Sequence, residues 1–224
     1  MDIEVAVPQE YTTKQRGDLL EELTADFMRV QGYEVEREVR ITASELDLLC
    51  KHKINKKTVY VECKAYRETL SAKILNQLLG TVVSNNYQEG WLISTGPLGK
   101  DAKGFKSNWE EKPTSESQRL SIYTPERVIN ALINANLIKP QPQEKAKDLL
   151  KNEELLGSWV LLVTPYGRYS GNAFGRQSTT PNRRWRTRTS VHIMRSSGRK
   201  QTGSHSVWRS LISSRGRICW KANN

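Results

Sequence analysis

Apolar and charged side chains alternate almost strictly along residues 33–41, and this period of two constrains the local structure of the segment. Successive side chains of a β-strand point to opposite faces, so the run predicts a strand with one face buried and the other in water. Only Arg37 breaks the alternation. Two more strand-like runs follow at 45–53 and 58–66, and the polar sequence Asn55-Lys56-Lys57 between them predicts an antiparallel hairpin.

Helices are predicted before and after these strands. Between Arg16 and Gln31 the apolar residues recur at steps of three and four, which indicates a helix with one buried face. The later patterns predict a helix at 71–84 with Ser71 as its N-cap, a strand at 91–93, a helix at 100–109, a strand at 120–124 and a helix at 126–137. The order αβββαβαβα predicts the α/β class, with a mixed sheet and helices on the sheet faces.

The charge is distributed unevenly along the chain. Residues 1–163 contain 22 Lys and Arg against 24 Asp and Glu, whereas residues 164–224 contain 13 basic residues and no acidic residue. We therefore predict three parts. A globular domain occupies 1–140, a linker helix near 144–156 and the beginning of a further structured segment occupy 141–169, and a basic, disordered tail occupies 170–224.

Three interpretations of the tail remain open. The run 183–188, which contains Trp185, could bind phosphates through arginine and stack a base on the indole. The tail could equally be a disordered arm without a fixed ligand. The absence of acidic residues over this length also suggests translation out of frame, in which case the chain is the front end of a longer protein.

The sequence gives no indication of a membrane or a secretory protein. No uninterrupted apolar stretch approaches the roughly 20 residues that cross a bilayer. The N-terminal residues lack the basic-then-apolar order of a secretory signal. The three cysteines, Cys50, Cys63 and Cys219, form no CxxC pair, and their odd number argues against a disulfide framework. We expect a soluble, reduced, cytoplasmic protein.

Two charged residues of the third strand, Glu62 and Lys64, lie two positions apart and therefore share one face. The predicted hairpin brings Asp47 close to opposite Lys64 and diagonal to Glu62, at distances of about 5 and 7 Å. Mg²⁺ binds through one or two carboxylates and retains several waters, so Asp47, Glu62 and the carbonyl of Cys63 are suitable ligands for phosphodiester hydrolysis. A surface ion pair, or a structural pair between Asp47 and Lys64, is the alternative.

Lys64 suits three roles: it could orient the attacking water, deprotonate it, or stabilise the charge that develops on the phosphate. Glu21 on the first helix could reach the same metal through water. Gln77 on the second helix could position a phosphate or Lys64. Taken singly, Glu21 and Gln77 are ordinary helix-surface residues.

These motifs, in this order, resemble the Mrr-like restriction endonucleases of the PD-(D/E)xK superfamily over roughly residues 15–125. The resemblance is carried by Gly17-Asp18-Leu19-Leu20-Glu21 eleven residues ahead of Gly32-Tyr33, by Ser44-Glu45-Leu46-Asp47-Leu48-Leu49, by Val61-Glu62-Cys63-Lys64-Ala65-Tyr66, by Gln77-Leu78-Leu79-Gly80, and by Ile93-Ser94-Thr95-Gly96-Pro97 with Ala102 and Phe105 after it. Many relatives have a Gly-rich turn where this chain has Ala43-Ser44-Glu45.

The resemblance implies a restriction-endonuclease-like αβββαβ core and an Mg²⁺-dependent DNA endonuclease, with Mn²⁺ as a substitute. At the matching positions it implies Asp47, Glu62, Lys64 and Gln77 as catalytic residues. Glu21, Asp47, Glu62 and Cys63 are then the residues of the metal site.

The same resemblance implies partners. Mrr-like nucleases occur as N-terminal effectors of large antiviral NTPases, which suggests a role in defence against foreign DNA. It also suggests a homodimer or higher oligomer, and an NTPase or sensor module in a longer parent protein. The alternative function is a non-catalytic nucleic-acid-binding module derived from a nuclease fold.

Overall fold

The structure is a computed structural model, and it describes residues 2–8, 10–41, 44–66, 68–138, 154–175, 190–191, 194–197, 211–213 and 216–217. The elements follow in chain order: strand β1 (Asp2–Pro8), helix α1 (Thr13–Val30), strands β2 (Tyr33–Ile41), β3 (Ser44–His52) and β4 (Thr58–Lys64), helix α2 (Ala72–Ser84), strand β5 (Glu89–Ser94), helices α3 (Lys100–Glu110) and α4 (Thr114–Ser117), strand β6 (Leu120–Tyr123), helix α5 (Pro125–Asn134), and strands β7 (Glu154–Thr164), β8 (Gly167–Gly175), β9 (Ser190–Val191), β10 (Met194–Ser197), β11 (Leu211–Ser213) and β12 (Gly216–Arg217).

The chain divides into two compact units, of which one is Thr13–Ala135. Its sheet has the order β2-β3-β4-β5-β6. Strands β2, β3 and β4 pair antiparallel, whereas β4, β5 and β6 pair parallel. Helices α2 and α3 pack in a buried cluster that includes Tyr60 and Leu92. Residues of α1 and α5 together line a small apolar void against Ile93 and Tyr123. The predicted mixed sheet with helices on its faces is thus confirmed.

The β3–β4 hairpin forms as predicted, but its register differs. The strands pair from Lys51 opposite Thr58 to Leu48 opposite Val61. The turn is centred between Ile54 and Asn55, one residue earlier than predicted, and a shift of the centre by one residue moves every cross-strand pair by two. Asp47 therefore aligns with Glu62 rather than with Lys64. Because side chains alternate with a period of two, a shift of two keeps each residue on its face.

The amino end of α2 is capped differently from the prediction. Ser71 occupies the N-cap position with extended backbone, but its side chain makes no capping hydrogen bond. Asp101 of α3 accepts the hydrogen bond from the Ala72 amide instead, at 2.8 Å. A carboxylate from a neighbouring helix thus satisfies one of the amide donors that a helix leaves unpaired at its amino end.

The second unit contains the residues before Thr13 and after Ala135. Its described strands have the order β10-β8-β7-β1-β11-β12, with β9 also paired to β8. Strand β1 lies parallel to β7, with Val5 opposite Val163. Ile3, Val5 and Val7 are buried. The amino-terminal strand therefore belongs to this unit, a pairing that the sequence pattern did not predict.

Much of the predicted carboxyl-terminal region lies outside the described residues. Of the linker helix predicted near 144–156, residues 144–153 are outside, and 154–156 belong to strand β7 rather than to a helix. In 170–224 the described residues complete β8 and form β9 to β12. The division of the chain at 140 and 169, and the disorder predicted for the tail, stay predictions. In the described part of the chain, no helix combines the length and apolar character that a membrane span requires.

Candidate active site at the end of strand β4

The carboxyl-terminal half of β4 carries an ion pair. Lys64 Nζ contacts Glu62 Oε1, and the two side chains are mostly buried, with 21% of Lys64 and 20% of Glu62 exposed. Burial lowers the pKa of Lys64, but the adjacent Glu62 carboxylate outweighs that effect, so the pKa lies above its ordinary value. Lys64 is therefore an ammonium cation in this arrangement.

Asp47 reaches this pair from β3, beyond the point where β3 and β4 pair. Its Oδ2 accepts a hydrogen bond from the amide of Cys63 at 2.7 Å. That amide lies between Glu62 and Lys64 in the sequence, so the three predicted catalytic residues meet at one place. The pairing of β2 with β3 also omits Asp47 and the residue aligned with it, Glu38, which has a φ of 50°.

An irregularity in β3 explains how the Asp47 carboxylate reaches the backbone of the next strand. Leu46 packs in the cluster that contains Tyr60, whereas Leu48 lies opposite Val61. Tyr60 and Val61 are adjacent on β4 and point to opposite faces, so Leu46 and Leu48 also lie on opposite faces. A regular strand sends residues two apart to the same face. The alternation of β3 therefore breaks at Asp47, as it does at a β-bulge.

Tyr60 is a member of the site that the sequence analysis missed. Its hydroxyl donates a hydrogen bond to Glu62 Oε2, and the residue is 3% exposed. Tyr60 lies two residues before Glu62 and shares its face, so a signal was present in the pattern Tyr-x-Glu-x-Lys. An aromatic residue at that spacing, however, also fits ordinary strand alternation. With Lys64 on one oxygen and Tyr60 on the other, the Glu62 carboxylate has a fixed orientation.

Glu21 approaches the site from α1. Its Oε2 lies 3.5 Å from Arg37 Nη2, and its side chain is 13% exposed. Burial raises the pKa of Glu21 to about 7, and the Asp47 charge adds to the rise while Arg37 opposes it. Burial, and then Asp47, likewise raise the pKa of Glu62 above its ordinary value. Three carboxylates thus share one electrostatic environment, and their mutual repulsion would be relieved by a bound cation.

The structure gives no direct support for the roles predicted for Cys63 and Gln77. The Cys63 thiol is buried, and burial holds its pKa well above the ordinary value, so it is not available as a thiolate ligand. Gln77 is exposed on α2, and its backbone carbonyl accepts a bond from the Thr81 hydroxyl. In the described part of the chain its side chain makes no hydrogen bond to the other site residues. A ligand role for the Cys63 carbonyl and a catalytic role for Gln77 stay predictions.

The loops that follow β4 and β5 are joined by hydrogen bonds beside the site. The Thr95 amide donates to the Lys64 carbonyl at 3.1 Å, and the Thr95 hydroxyl donates to the Tyr66 carbonyl at 2.8 Å. The buried Ser94 hydroxyl accepts the Gly96 amide at 2.9 Å. Thr95 therefore fixes the backbone of Lys64, a role that only a contact between distant segments of the chain reveals.

Comparison with protein-family models assigns this part of the chain. Residues 13–112 match the family model Mrr_cat, which is described as a restriction endonuclease. Residues 13–112 belong to this family. The restriction endonuclease domain thus includes Asp47, Glu62 and Lys64, together with Glu21 on α1. The family supports a nuclease function, its members generally use divalent metals, and domains of this kind act on DNA.

Solved structures similar to this chain include nucleases, all with low sequence identity. A protein of unknown function has 14% identity and a TM-score of 0.42, over 59% of this chain and 77% of its own. The DNA modification-dependent restriction endonuclease AspBHI has 13% identity and a TM-score of 0.39, over 51% of this chain and 30% of its own. A repair endonuclease from Pyrococcus abyssi has 18% identity and a TM-score of 0.36, over 52% of this chain and 48% of its own. This chain thus matches less than half of either endonuclease. No curated protein matches the chain.

The residues of the restriction endonuclease domain fit a divalent cation with few protein ligands. Among the described residues, no three His, Cys, Asp or Glu side chains come close enough together to hold a metal ion. Mg²⁺ needs only one or two carboxylates, however, and takes its other ligands from water and phosphate. Asp47 and Glu62 meet that requirement, with oxygen donors and an excess of negative charge. A cation would replace Lys64 at Glu62 Oε1, while Glu62 Oε2 would keep its hydrogen bond from Tyr60.

The Tyr60 hydroxyl gives a prediction that tests this orientation. We expect Tyr60→Phe to raise the Mg²⁺ concentration for half-maximal cleavage about 10- to 100-fold, because partners that orient a metal ligand have effects of this size. The ring remains in the core, so the protein should stay folded. Tyr87→Phe is the matched control, since the Tyr87 ring lies 6.4 Å from that of Tyr60 but outside the site. Equal Mg²⁺ dependence in the two variants would contradict the prediction.

Proposed function

We propose that this restriction endonuclease domain hydrolyses phosphodiester bonds of DNA with Mg²⁺ as cofactor, and that Mn²⁺ substitutes for it. The observation that carries the proposal is the convergence of Asp47, Glu62 and Lys64 where β3 and β4 stop pairing. Two half-buried carboxylates beside an ammonium group suit an anionic substrate only when a further cation offsets their charge. That combination favours metal-assisted phosphodiester hydrolysis over an ordinary structural ion pair.

In this proposal Asp47 and Glu62 hold the cation, with the Cys63 carbonyl as a further ligand and Glu21 acting through water. A divalent cation bound there supplies a Lewis acid for the phosphate and lowers the pKa of a bound water. The oxygen of the attacking water forms a bond to phosphorus while the bond to the leaving sugar oxygen breaks; the water gives up a proton to solvent, and the leaving oxygen takes one from solvent. Gln77 on α2 positions a phosphate.

Lys64 acts as a cation in this scheme. The ion pair with Glu62 keeps its pKa above the ordinary value, which supports charge stabilisation and water orientation over proton abstraction. If Glu62 held a cation, the Lys64 ammonium group would be free to contact the phosphate oxygens. Thr95 keeps the Lys64 backbone in place during this exchange.

The biological setting that we propose is defence against foreign DNA inside the cell, as the family of restriction endonucleases suggests. A homodimer or higher oligomer would bring two such sites to a duplex. An NTPase or sensor module of a longer parent protein would control cleavage.

The test uses the full chain, because β1 and the residues after Ala135 form a unit of their own. Purified protein is incubated with supercoiled and with linear DNA, in Mg²⁺, in Mn²⁺ and in EDTA, beside Asp47→Asn protein prepared in parallel. We expect cleavage with either metal, none with EDTA, and none by the variant. DNA binding without cleavage under all conditions would favour the alternative, a non-catalytic nucleic-acid-binding module.

A further inference from the structure

Arg37 lies beside the carboxylates of the restriction endonuclease domain, although it is the residue that breaks the alternation of β2. The residue after it, Glu38, has a φ of 50°, which is unusual for a residue other than glycine. Arg37 pairs with Leu48 across the sheet and extends toward α1. Its Nη2 lies 3.3 Å from the Asp18 carbonyl and 3.5 Å from Glu21 Oε2.

These contacts occupy only part of the Arg37 guanidinium. Both are long, and both use the same nitrogen, Nη2. In the described part of the chain, Nη1 and Nε donate to no protein group, and the side chain is 35% exposed. A guanidinium presents five N–H donors in a planar fork that matches the oxygens of a phosphate. Arg37 can therefore keep its contact with Glu21 and still bind an anion.

The surface beside Arg37 leaves room for such an anion. Gly17 lies one helical turn before Glu21 on the same face of α1. A Cβ atom added at Gly17 would meet nothing within 4 Å. In the described part of the chain, α1 is therefore uncovered at this point, one turn from Glu21.

The negative charge of the site opposes DNA binding, and a cation that contacts the DNA would offset that effect. The site brings together three carboxylates, Glu21, Asp47 and Glu62, whose negative charge repels an approaching polyanion. Lys64 offsets part of that charge but is engaged with Glu62. Arg37 also acts on the cluster, through Glu21.

We propose that Arg37 binds a backbone phosphate of the DNA strand beside the phosphate that is cleaved. The inference rests on the proposed function, since it assigns the substrate contact of the same site. Arg37 then contributes to the affinity and placement of DNA, and it takes no part in the chemical step.

The experiment measures DNA binding and cleavage separately. Binding of a fluorescein-labelled duplex to the full chain is followed by anisotropy over a series of salt concentrations, with Ca²⁺ in place of Mg²⁺. We expect Arg37→Gln to weaken binding about tenfold at low salt and to reduce the slope of log K against log salt by about one. In Mg²⁺, the KM for DNA should rise by a larger factor than kcat falls.

Two further variants serve as controls for Arg37→Gln. Arg29→Gln removes one exposed arginine from the other end of α1, where it pairs with Asp26, and should change binding much less. Arg37→Lys keeps the charge but loses the fork, so it should restore the salt slope and only part of the affinity. If thermal melting shows that Arg37→Gln is unfolded, Arg37→Lys is compared with the wild type in its place.

The outcomes separate this inference from the proposed function. Wild-type affinity and salt slope in Arg37→Gln, with cleavage intact in the wild type, would overturn the phosphate contact alone. Normal binding with a large loss of kcat would also overturn it, because Arg37 would then act on Glu21 instead of on DNA. Arg37-dependent binding by a wild-type protein that cleaves nothing would support the contact and overturn the nuclease.

Discussion

Asp47→Asn is expected to reduce DNA cleavage by about 10³-fold or more. The substitution removes the charge of a proposed metal ligand but keeps its shape, and metal catalysis accounts for several kcal/mol of transition-state stabilisation. The asparagine carbonyl can still accept the Cys63 amide, so the hairpin should be preserved. Cleavage of plasmid DNA under single-turnover conditions measures the loss.

Two additional measurements make the interpretation of Asp47→Asn specific. Glu34→Gln removes an exposed carboxylate from the opposite end of β2 and should leave cleavage unchanged. The melting temperature of Asp47→Asn without metal should change little, because Asp47 repels Glu21 and Glu62 but attracts Lys64 in the folded protein. Cleavage at the wild-type rate would remove Asp47 from the site. A large fall in melting temperature would assign it a structural role.

Gly96→Ala is expected to destabilise the fold by about 1–3 kcal/mol, in the range of overpacking substitutions. An added Cβ would lie 2.5 Å from the Glu68 carbonyl oxygen and 3.0 Å from that of Tyr66. These are backbone atoms, so no side-chain rotation relieves the contact, and the loops after β4 and β5 must separate. Separation would weaken the hydrogen bonds of Thr95, so cleavage by the folded variant should also fall. Urea denaturation and single-turnover cleavage measure the two effects.

Gly80→Ala is the matched control for Gly96. A Cβ added there, in the middle of α2, would meet nothing within 4 Å. Alanine is the better helix former, so this variant should gain roughly 0.5–1 kcal/mol. Equal stability of the two variants would show that the loops after β4 and β5 adapt easily, and that Thr95 is not needed to fix Lys64.

Local patterns in the sequence were sufficient to predict the strands and the faces of the central residues. Alternation over 33–41 and the spacing of Glu62 and Lys64 act through neighbours in the chain, so they can be identified without a structure. The register of Asp47 could not be predicted, because it depends on whether the turn is centred before or after Asn55. The predicted register differs by two residues from the observed one, but Asp47 still meets Glu62 and Lys64, because its carboxylate accepts the hydrogen bond of the Cys63 amide between them.

The residues that the sequence analysis missed share a physical reason. Tyr60 looks like any buried residue of a strand until its hydroxyl is seen to meet Glu62. Thr95 acts on Lys64 across 31 positions of the chain, through its amide. Arg37 stands out in the sequence only because it breaks the alternation of residues 33–41. In each case the role depends on a hydrogen bond between polar atoms, and hydrophobic periodicity carries no information about such bonds.

The position of β1 has a consequence for how the protein is made. Strand β1 leaves the ribosome before its parallel partner β7, which is synthesised about 150 residues later. At roughly 5–20 residues per second, β1 waits on the order of 10–30 s for that partner. The whole of Thr13–Ala135 emerges in the meantime and can complete its own core. Nascent chains would thus carry a folded restriction endonuclease domain while Ile3, Val5 and Val7 are still unburied. Chaperones that recognise exposed apolar side chains would bind β1 during this interval.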